Sequence, residues 1–171
     1  MPDQKTLERI HQDAREGKSP STQAGEFVRE EIHHIREGKH GARSTKQAIA
    51  IALAKARRAG VKLGPPPQGS SSSETVEQAN RDSRKGQGHS RHRTSGKRSR
   101  AITGTLGRED SSAASRKSLS KHARSTAGQR SSAARHRSAM KAVRTKGRRG
   151  RSQAARQAAR TRRSQQRNYR D

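Results

Sequence analysis

The chain has 171 residues, of which 41 are lysine or arginine and 14 are aspartate or glutamate, giving a formal net charge of +27. Only 25% of the residues are hydrophobic and 1% aromatic, which is too little apolar material for one core of ordinary size. Low hydrophobicity with high net charge is typical of chains that are disordered over much of their length. The sequence contains no cysteine, which excludes disulfides and thiolate metal sites.

A positive charge of this size predicts a polyanionic partner, which could be DNA, RNA or an anionic membrane surface. The basic region lacks the apolar face with which amphipathic helices enter a membrane. No apolar run is long enough to span a bilayer, and residues 1–20 lack the continuous hydrophobic stretch of a secretory signal. We therefore expect a cytoplasmic protein with a nucleic-acid partner and no membrane partner.

The first two predicted helices cover about residues 4–16 and 20–37. Apolar residues at three- and four-residue spacing give each helix one apolar face. The charged Arg29, Glu30 and Glu31 are expected to point largely outward. The apolar residues are Leu7, Ile10 and Ala14 in the first helix and Ala24, Phe27, Val28, Ile32 and Ile35 in the second.

The clearest helix signal covers about residues 44–59. Ser44 and Gln47 have the spacing of a capping box, in which each side chain bonds to the backbone amide of the other residue. Several alanines then add high helix propensity. Gly60 is expected to end the helix in a left-handed conformation, with Val61 against the last turn. The predicted apolar stripe consists of Ala48, Ile49, Ala52, Leu53, Ala56 and Ala59.

A short internal repeat lies between these helices. Arg-Glu-Gly-Lys occurs at residues 15–18 and again at residues 36–39, each time before a Ser-Thr segment that can start a helix. Both copies predict a helix end, a basic loop and a new helix start. The alternative is that helix ends and starts draw on the same few residues without any repeat.

The predicted organisation is a small helical domain at residues 1–63, a Pro/Ser linker at 64–73 and a basic low-complexity tail at 74–171. Residues 65–171 hold 28 basic and 6 acidic side chains, compared with 13 and 8 in residues 1–64. The fold class is therefore predicted as mostly α: a three-helix unit followed by a largely disordered tail in which binding can induce helices. Large apolar residues are few in the domain, so we expect marginal stability and possible weak self-association.

A repeat of about 20 residues begins at residue 111. The sequence of Ser111–Ala114 recurs as Ser131–Ala134 and more loosely at residues 151–155. A period of this length can indicate a solenoid, but solenoids bury large apolar residues between neighbouring repeats. Too few are present here, so a basic tail expanded by duplication is predicted. The large apolar residues in the repeats are Leu119, Met140 and Val143.

The basic side chains form the candidate binding site. Each one that replaces a condensed cation on a nucleic acid adds affinity that falls with salt and needs no base contact. Arginine predominates, which suits bidentate phosphate contacts. The second and third helices could also form a helix-turn-helix. The candidate nucleic-acid-binding residues are Arg43, Lys46, Lys55, Arg57, Arg58, Arg135, Arg137, Lys141, Arg144, Lys146, Arg148, Arg149, Arg151, Arg156, Arg160, Arg162 and Arg163.

No residue pattern predicts catalysis or a metal site. The adjacent His33 and His34 point about 100° apart on a helix, and no well-spaced carboxylate completes a site with them and His40. The scattered serines and histidines form no evident nucleophile–base pair. One phenylalanine and one tyrosine cannot support base stacking. We therefore expect no enzyme activity, no cofactor and no bound metal.

Residues 30–53 contain a basic, glycine-containing loop that runs into Lys-Gln-Ala-Ile-Ala-Ile, and Ala-Arg-Arg-Ala-Gly follows at residues 56–60. Over residues 20–63 the chain resembles a family of short, basic bacterial proteins of unknown function. The repeats from residue 111 are similar to the tails of some members, and in composition to the basic arms of linker-histone-like bacterial proteins. The resemblance implies a bacterial, cytoplasmic protein, and it implies no activity, cofactor or site.

Together these features predict a non-enzymatic, largely sequence-independent nucleic-acid-binding protein that contacts phosphates through its tail. Duplex DNA is favoured over RNA because nothing in the sequence suits unpaired bases, and a nucleoid-associated protein fits best. Two alternatives stay open. One is an RNA- or ribosome-associated protein that uses the same tail, and the other is a protein–protein adaptor whose helical domain carries the function.

Overall fold

The computed structural model describes residues 2–66, 69, 71–88 and 95–167. Within these ranges the side chains of residues 145, 146 and 164–167 are left out. Every regular element in the described ranges is helical, so the predicted mostly-α class is confirmed. The elements are α1 (Gln4–Arg15), α2 (Pro20–Arg36), α3 (Thr45–Arg58), α4 (Ser73–Gly86), α5 (Gly96–Gly107), a 3₁₀ helix (Ser111–Ala114), α6 (Arg116–Gln129) and α7 (Ser132–Arg167). Among these described helices, none combines the length and apolar character that crossing a membrane requires.

The first three helices end in the same way. Gly17, Gly38 and Gly60 have positive φ values of 67°, 73° and 90°, which glycine adopts without steric penalty. The amide of the following residue bonds back across the last turn in a Schellman pattern. These bonds run from Lys18 to Asp13 O at 2.9 Å, from Lys39 to His34 O at 3.0 Å and from Val61 to Ala56 O at 3.1 Å. Both copies of Arg-Glu-Gly-Lys therefore end a helix.

The start of α3 follows the capping-box spacing in part. Ser44 Oγ accepts a hydrogen bond from the Gln47 amide at 3.2 Å, as the sequence predicts. Gln47 Oε1 accepts from the amide of Arg43 at 2.8 Å, one residue earlier than expected. The two bonds hold the end of the preceding loop against the first turn of α3.

Helices α1, α2 and α3 pack around a small apolar core. Phe27 is its largest fully buried side chain, and Ala52 and Ala56 bring the backbone of α3 close to its neighbours. Two residues expected on the apolar faces, Ala14 and Ala59, are exposed because each lies at the last turn of its helix or just beyond it. The buried cluster consists of Ile10, Ala24, Phe27, Ala52, Ala56 and Val61, with Leu7, Val28, Leu53 and Leu63 partly buried against it.

A second apolar cluster forms where the 3₁₀ helix packs against α2 and α3. Ala113 and Ala114 are 5% and 0% exposed, and they contact apolar residues of both longer helices. Thr45 Oγ1 donates to Ala113 O at 2.6 Å, and Arg36 Nε donates to Ala114 O at 2.9 Å. The cluster consists of Ile32, Ile35, Ala42, Ala48, Ala113 and Ala114.

The loop between α2 and α3 also pairs with the end of α5 and the segment that follows it. The Gly41 amide donates to Leu106 O at 2.8 Å, and the Ala42 amide donates to Asp110 O at 3.1 Å. A Cβ atom at Gly41 would lie 1.8 Å from Glu109 O, so only glycine allows this approach. Two loops far apart in sequence are thus joined through their backbones.

Helix α4 packs against α3 through a second close glycine contact. A Cβ atom at Gly86 would lie 1.9 Å from Arg57 O and 2.9 Å from Gly60 N. Ala79 and Asp82 of α4 are buried in the same contact. Small side chains therefore allow the two helices to approach closely.

The chain divides into two units, residues 1–123 and residues 124–171. The predicted boundary at residue 63 differs from this division, because α4 and the 3₁₀ helix pack on the first three helices. Composition did not reveal this packing, since it depends on alanine and glycine rather than on large apolar residues. Of the predicted linker, residues 67, 68 and 70 lie outside the described residues.

Candidate functional site

The second unit carries many cations and, over residues 124–167, no aspartate or glutamate at all. Fifteen lysine and arginine residues lie in this range, and none of its described side chains is buried. The Lys146 side chain lies outside those that the structure describes. The exposed candidates are Arg135, Arg137, Lys141, Arg144, Arg148, Arg149, Arg151, Arg156, Arg160, Arg162 and Arg163.

Helix α7 is kinked at Gly147, which has φ 59° and ψ −177°. At about 100° per residue, the seven arginines between Arg148 and Arg163 occupy about half of the circumference of the following helix. This segment is about 24 Å long. The opposite half consists of small or neutral side chains at Gln153, Ala154, Gln157, Ala158 and Thr161. The segment therefore has one basic face and one neutral face.

The first unit keeps only part of the predicted phosphate-binding set at its surface. Arg43, Lys46 and Arg58 are exposed. Arg57 is 8% exposed and donates from Nη2 to Gly64 O at 3.2 Å. The prediction that Arg57 faces an external phosphate is corrected, because this guanidinium lies inside the unit.

Lys55 is corrected in the same way. Its Nζ atom donates to Glu31 Oε2 at 2.5 Å, and the Glu31 side chain is 1% exposed. A buried carboxylate needs a nearby cation, so Lys55 neutralises this charge rather than an external one. The sequence predicted outward positions for Glu30 and Glu31, whereas both are buried.

Two histidines, the buried His34 and the half-buried His40, complete a polar cluster beside this ion pair. Glu31, His34 and His40 each offer one ligand atom, and these atoms lie within 4.8 Å of one another. His40 Nε2 lies 3.5 Å from Glu31 Oε1. Asp3, Glu30 and His34 form an adjoining group with the same spacing. The sequence pattern predicted no carboxylate partner for the histidines, whereas the fold brings three carboxylates to them.

Hydrogen bonds orient the members of this cluster. His34 Nε2 and Asp3 Oδ2 are 3.1 Å apart, and this bond lowers the pKa of the Asp3 carboxyl. The Asp3 amide donates to Glu30 Oε2 at 3.2 Å. Oε1 of Glu30 and Oε1 of Glu31 are buried and make no hydrogen bond. The cluster thus contains two carboxylate oxygens without a donor.

Part of this cluster could be predicted from residue spacing in the sequence. Glu31 and His34 are three residues apart on α2, which places them on one face of the helix. His40 reaches the same place only because α2 ends at the Gly38 turn, and Asp3 does so through the packing of the segment before α1. The turn geometry and the packing therefore had to be known.

No protein family, curated protein or solved structure matches this chain. The resemblance noted for residues 20–63 therefore stays a prediction.

Proposed function

We propose that this protein is a non-enzymatic nucleic-acid-binding protein that contacts phosphates through its second unit, largely without sequence preference. The observation that supports this most is that every described lysine and arginine side chain in residues 124–167 is exposed, in a range that contains no acidic residue. Duplex DNA is the proposed partner, and association with the bacterial nucleoid is the proposed location.

The energetic basis of binding is the release of counterions from the nucleic acid. If about ten phosphates are engaged on duplex DNA, the logarithm of the binding constant falls with the logarithm of salt concentration with a slope near −9. The basic half of α7 after Gly147 offers seven guanidinium groups to such a surface, and each can form paired hydrogen bonds to phosphate oxygens.

We further propose that binding stabilises the helices of the second unit, which would otherwise belong to a disordered tail. No side chain described between residues 124 and 167 is buried, so tertiary packing contributes little to these helices. Their arginines also repel one another until phosphates neutralise them. Hydrogen exchange on the full chain tests this step: the amides of α7 should gain protection when duplex DNA is added.

The central experiment measures DNA affinity as a function of salt for two variants that each lose three charges. One variant changes Arg148, Arg156 and Arg160 to glutamine, and the other changes the exposed Arg43, Lys46 and Lys62 to glutamine. Loss of three phosphate contacts reduces the magnitude of the slope by about 2.7. We expect this reduction for the α7 variant and a smaller one for the variant in the first unit. Equal reductions would show that total charge, and not the α7 face, determines binding.

Parallel titrations with duplex DNA, structured RNA and single strands of equal length test the choice of partner. A preference for RNA at physiological salt would support the RNA-associated alternative. Deletion of residues 124–171 tests the adaptor alternative, since a partner that is retained by the first unit alone would place the function there.

A further inference from the structure

We propose that Glu31, His34 and His40 form a binding site for one divalent transition-metal cation of the Zn²⁺ type. Two imidazoles and one carboxylate are a donor set that Zn²⁺ takes in proteins, with a fourth position left to water. One candidate ligand atom from each residue already lies within 4.8 Å of the other two. The site lies entirely in the first unit and is independent of the basic tail.

The tautomer of His40 favours a cation at this place. Its Nδ1 atom lies 3.1 Å from Gly41 O, and a carbonyl only accepts hydrogen bonds, so Nδ1 carries the proton. The other ring nitrogen, Nε2, lies 3.5 Å from Glu31 Oε1. The lone pairs of these two atoms repel unless a positive charge, either a proton on Nε2 or a metal cation, lies between them. An imidazole held by an Nδ1–H bond to a backbone carbonyl is also the usual arrangement of a metal-bound histidine.

The burial of Glu31 is a second reason to propose a cation at this place. Its side chain is 1% exposed, and Oε1 has no hydrogen-bond donor while Oε2 is bound by Lys55. A buried oxygen without a partner is costly, and coordination of a cation removes that cost. Zn²⁺ bonds of about 2.0–2.1 Å at a tetrahedral ion place ligand atoms about 3.3 Å apart. The observed 3.5 Å between Glu31 Oε1 and His40 Nε2 is close to that separation.

The local charge fits a divalent cation, although the whole chain is strongly basic. Three carboxylates, those of Asp3, Glu30 and Glu31, lie around the two histidines, and Lys55 neutralises one of them. Lys39 is also near, but it pairs with Glu37 at 3.1 Å. Two negative charges are left over. The contact between His34 and Asp3 resembles the carboxylate–imidazole contacts that orient metal-bound histidines.

Metal binding at His40 would stabilise the neighbouring loop. Gly41 and Ala42 follow His40 directly, and their amides hold the segment that leads into the 3₁₀ helix. A cation that links His40 to α2 should therefore reduce the opening of this backbone contact. Hydrogen exchange at these two amides reports the effect without any assumption about activity.

The test uses the full chain without a polyhistidine tag, treated with nuclease and dialysed against a chelator. Calorimetric titration with ZnCl₂ should give one equivalent per chain and a rise in melting temperature. His40→Ala should weaken the affinity by at least about tenfold. His33→Ala is the matched control, because His33 is an exposed histidine on α2 outside the proposed site, and the Zn²⁺ affinity of this variant should stay within about twofold of the parent.

Two further measurements on the parent chain do not depend on the folding of any variant. Co²⁺ bound to the parent chain should show the intense visible absorption of four-coordinate nitrogen and oxygen ligation, and added Zn²⁺ should abolish it. Gly41 and Ala42 should exchange more slowly with Zn²⁺ present. Equal Zn²⁺ affinity in the His33 and His40 variants, or fewer than half an equivalent bound by the parent chain, would overturn the proposal.

Discussion

Ser111–Ala114 and Ser131–Ala134 have the same sequence and different structures. The first copy is a 3₁₀ helix whose two alanines are buried against α2 and α3. The second copy lies at the start of α7 with three residues exposed and Ala134 half-buried, and Ser131 Oγ accepts from the Ala134 amide at 3.2 Å. The tetrapeptide does not decide between these structures. The difference arises because Thr45 and Arg36 bind the carbonyl groups of the first copy.

The same contrast extends to the charged residues of the two units. In the first unit, the buried Glu31 carboxylate pairs with the half-buried Lys55 side chain, and Asp82 is 2% exposed. Over residues 124–167 of the second unit, no acidic residue is present and no described side chain is buried. Several charges of the first unit are therefore enclosed by its packing, whereas the described charges of residues 124–167 are exposed.

The largest effect is expected from Lys55→Met, which leaves the buried Glu31 carboxylate without its cation. Loss of one partner of a buried pair costs about 3–5 kcal/mol of unfolding free energy. Lys46→Met is the control, since Lys46 is exposed on the same helix. Urea unfolding with a chelator present measures the free energy of unfolding of both variants. Equal costs for the two variants would contradict the buried-pair assignment.

Ala114→Glu and Ala134→Glu separate the two copies of the tetrapeptide directly. A carboxylate at position 114 would enter an apolar cluster, so we expect the 3₁₀ segment to detach at a cost of about 1–3 kcal/mol. The same change at the more exposed position 134 should alter stability by less than about 0.5 kcal/mol. Hydrogen exchange at the Gly41 and Ala42 amides is the readout, and retained protection in Ala114→Glu would refute the docking.

Gly86→Ala tests the contact between α4 and α3. The new methyl group would collide with Arg57 O, so we expect the free energy of unfolding to fall by about 1–3 kcal/mol. Gly25→Ala is the matched control in α2, where nothing lies within 4 Å of the added carbon. Gly25→Ala should instead raise the free energy of unfolding by about 0.5–1 kcal/mol, because alanine has the higher helix propensity. Thermal unfolding of both variants gives the comparison, and a stable Gly86→Ala would show that α4 does not pack here.

A smaller effect on the stability of the first unit is expected when the pH is lowered. Lys39 holds the pKa of Glu37 below its usual value, and hydrogen bonds from Ser112 do the same for Asp110. Because the folded-state pKa is lowered, the stability from these groups is present above the usual carboxyl range near pH 4 and lost as pH falls through the folded values. Circular dichroism between pH 5 and pH 2 should therefore show loss of structure from the first unit. Glu37→Gln should flatten that response, and an unchanged acid transition would contradict it.

Local patterns in the sequence were sufficient for the elements near the amino terminus. The Ser44 cap and the glycine ends of α1, α2 and α3 depend on residues within a few positions, and the structure has each of them. The polar cluster around Glu31, His34 and His40 could not be predicted from local patterns. Glu30 and Glu31 have the composition of a solvent-facing segment, and only packing against Lys55 and the segment around Asp3 makes them buried.

The sequence by itself determined the helical class and the separation of most of the positive charge into the carboxy-terminal part of the chain. Both follow from local composition, because helix propensity and net charge are properties of short segments. Only the tertiary structure decided which alanines are buried, which lysine neutralises Glu31 and which histidines meet it. Those outcomes depend on contacts between residues far apart in sequence, through close approaches at Gly41 and Gly86 that no local pattern specifies.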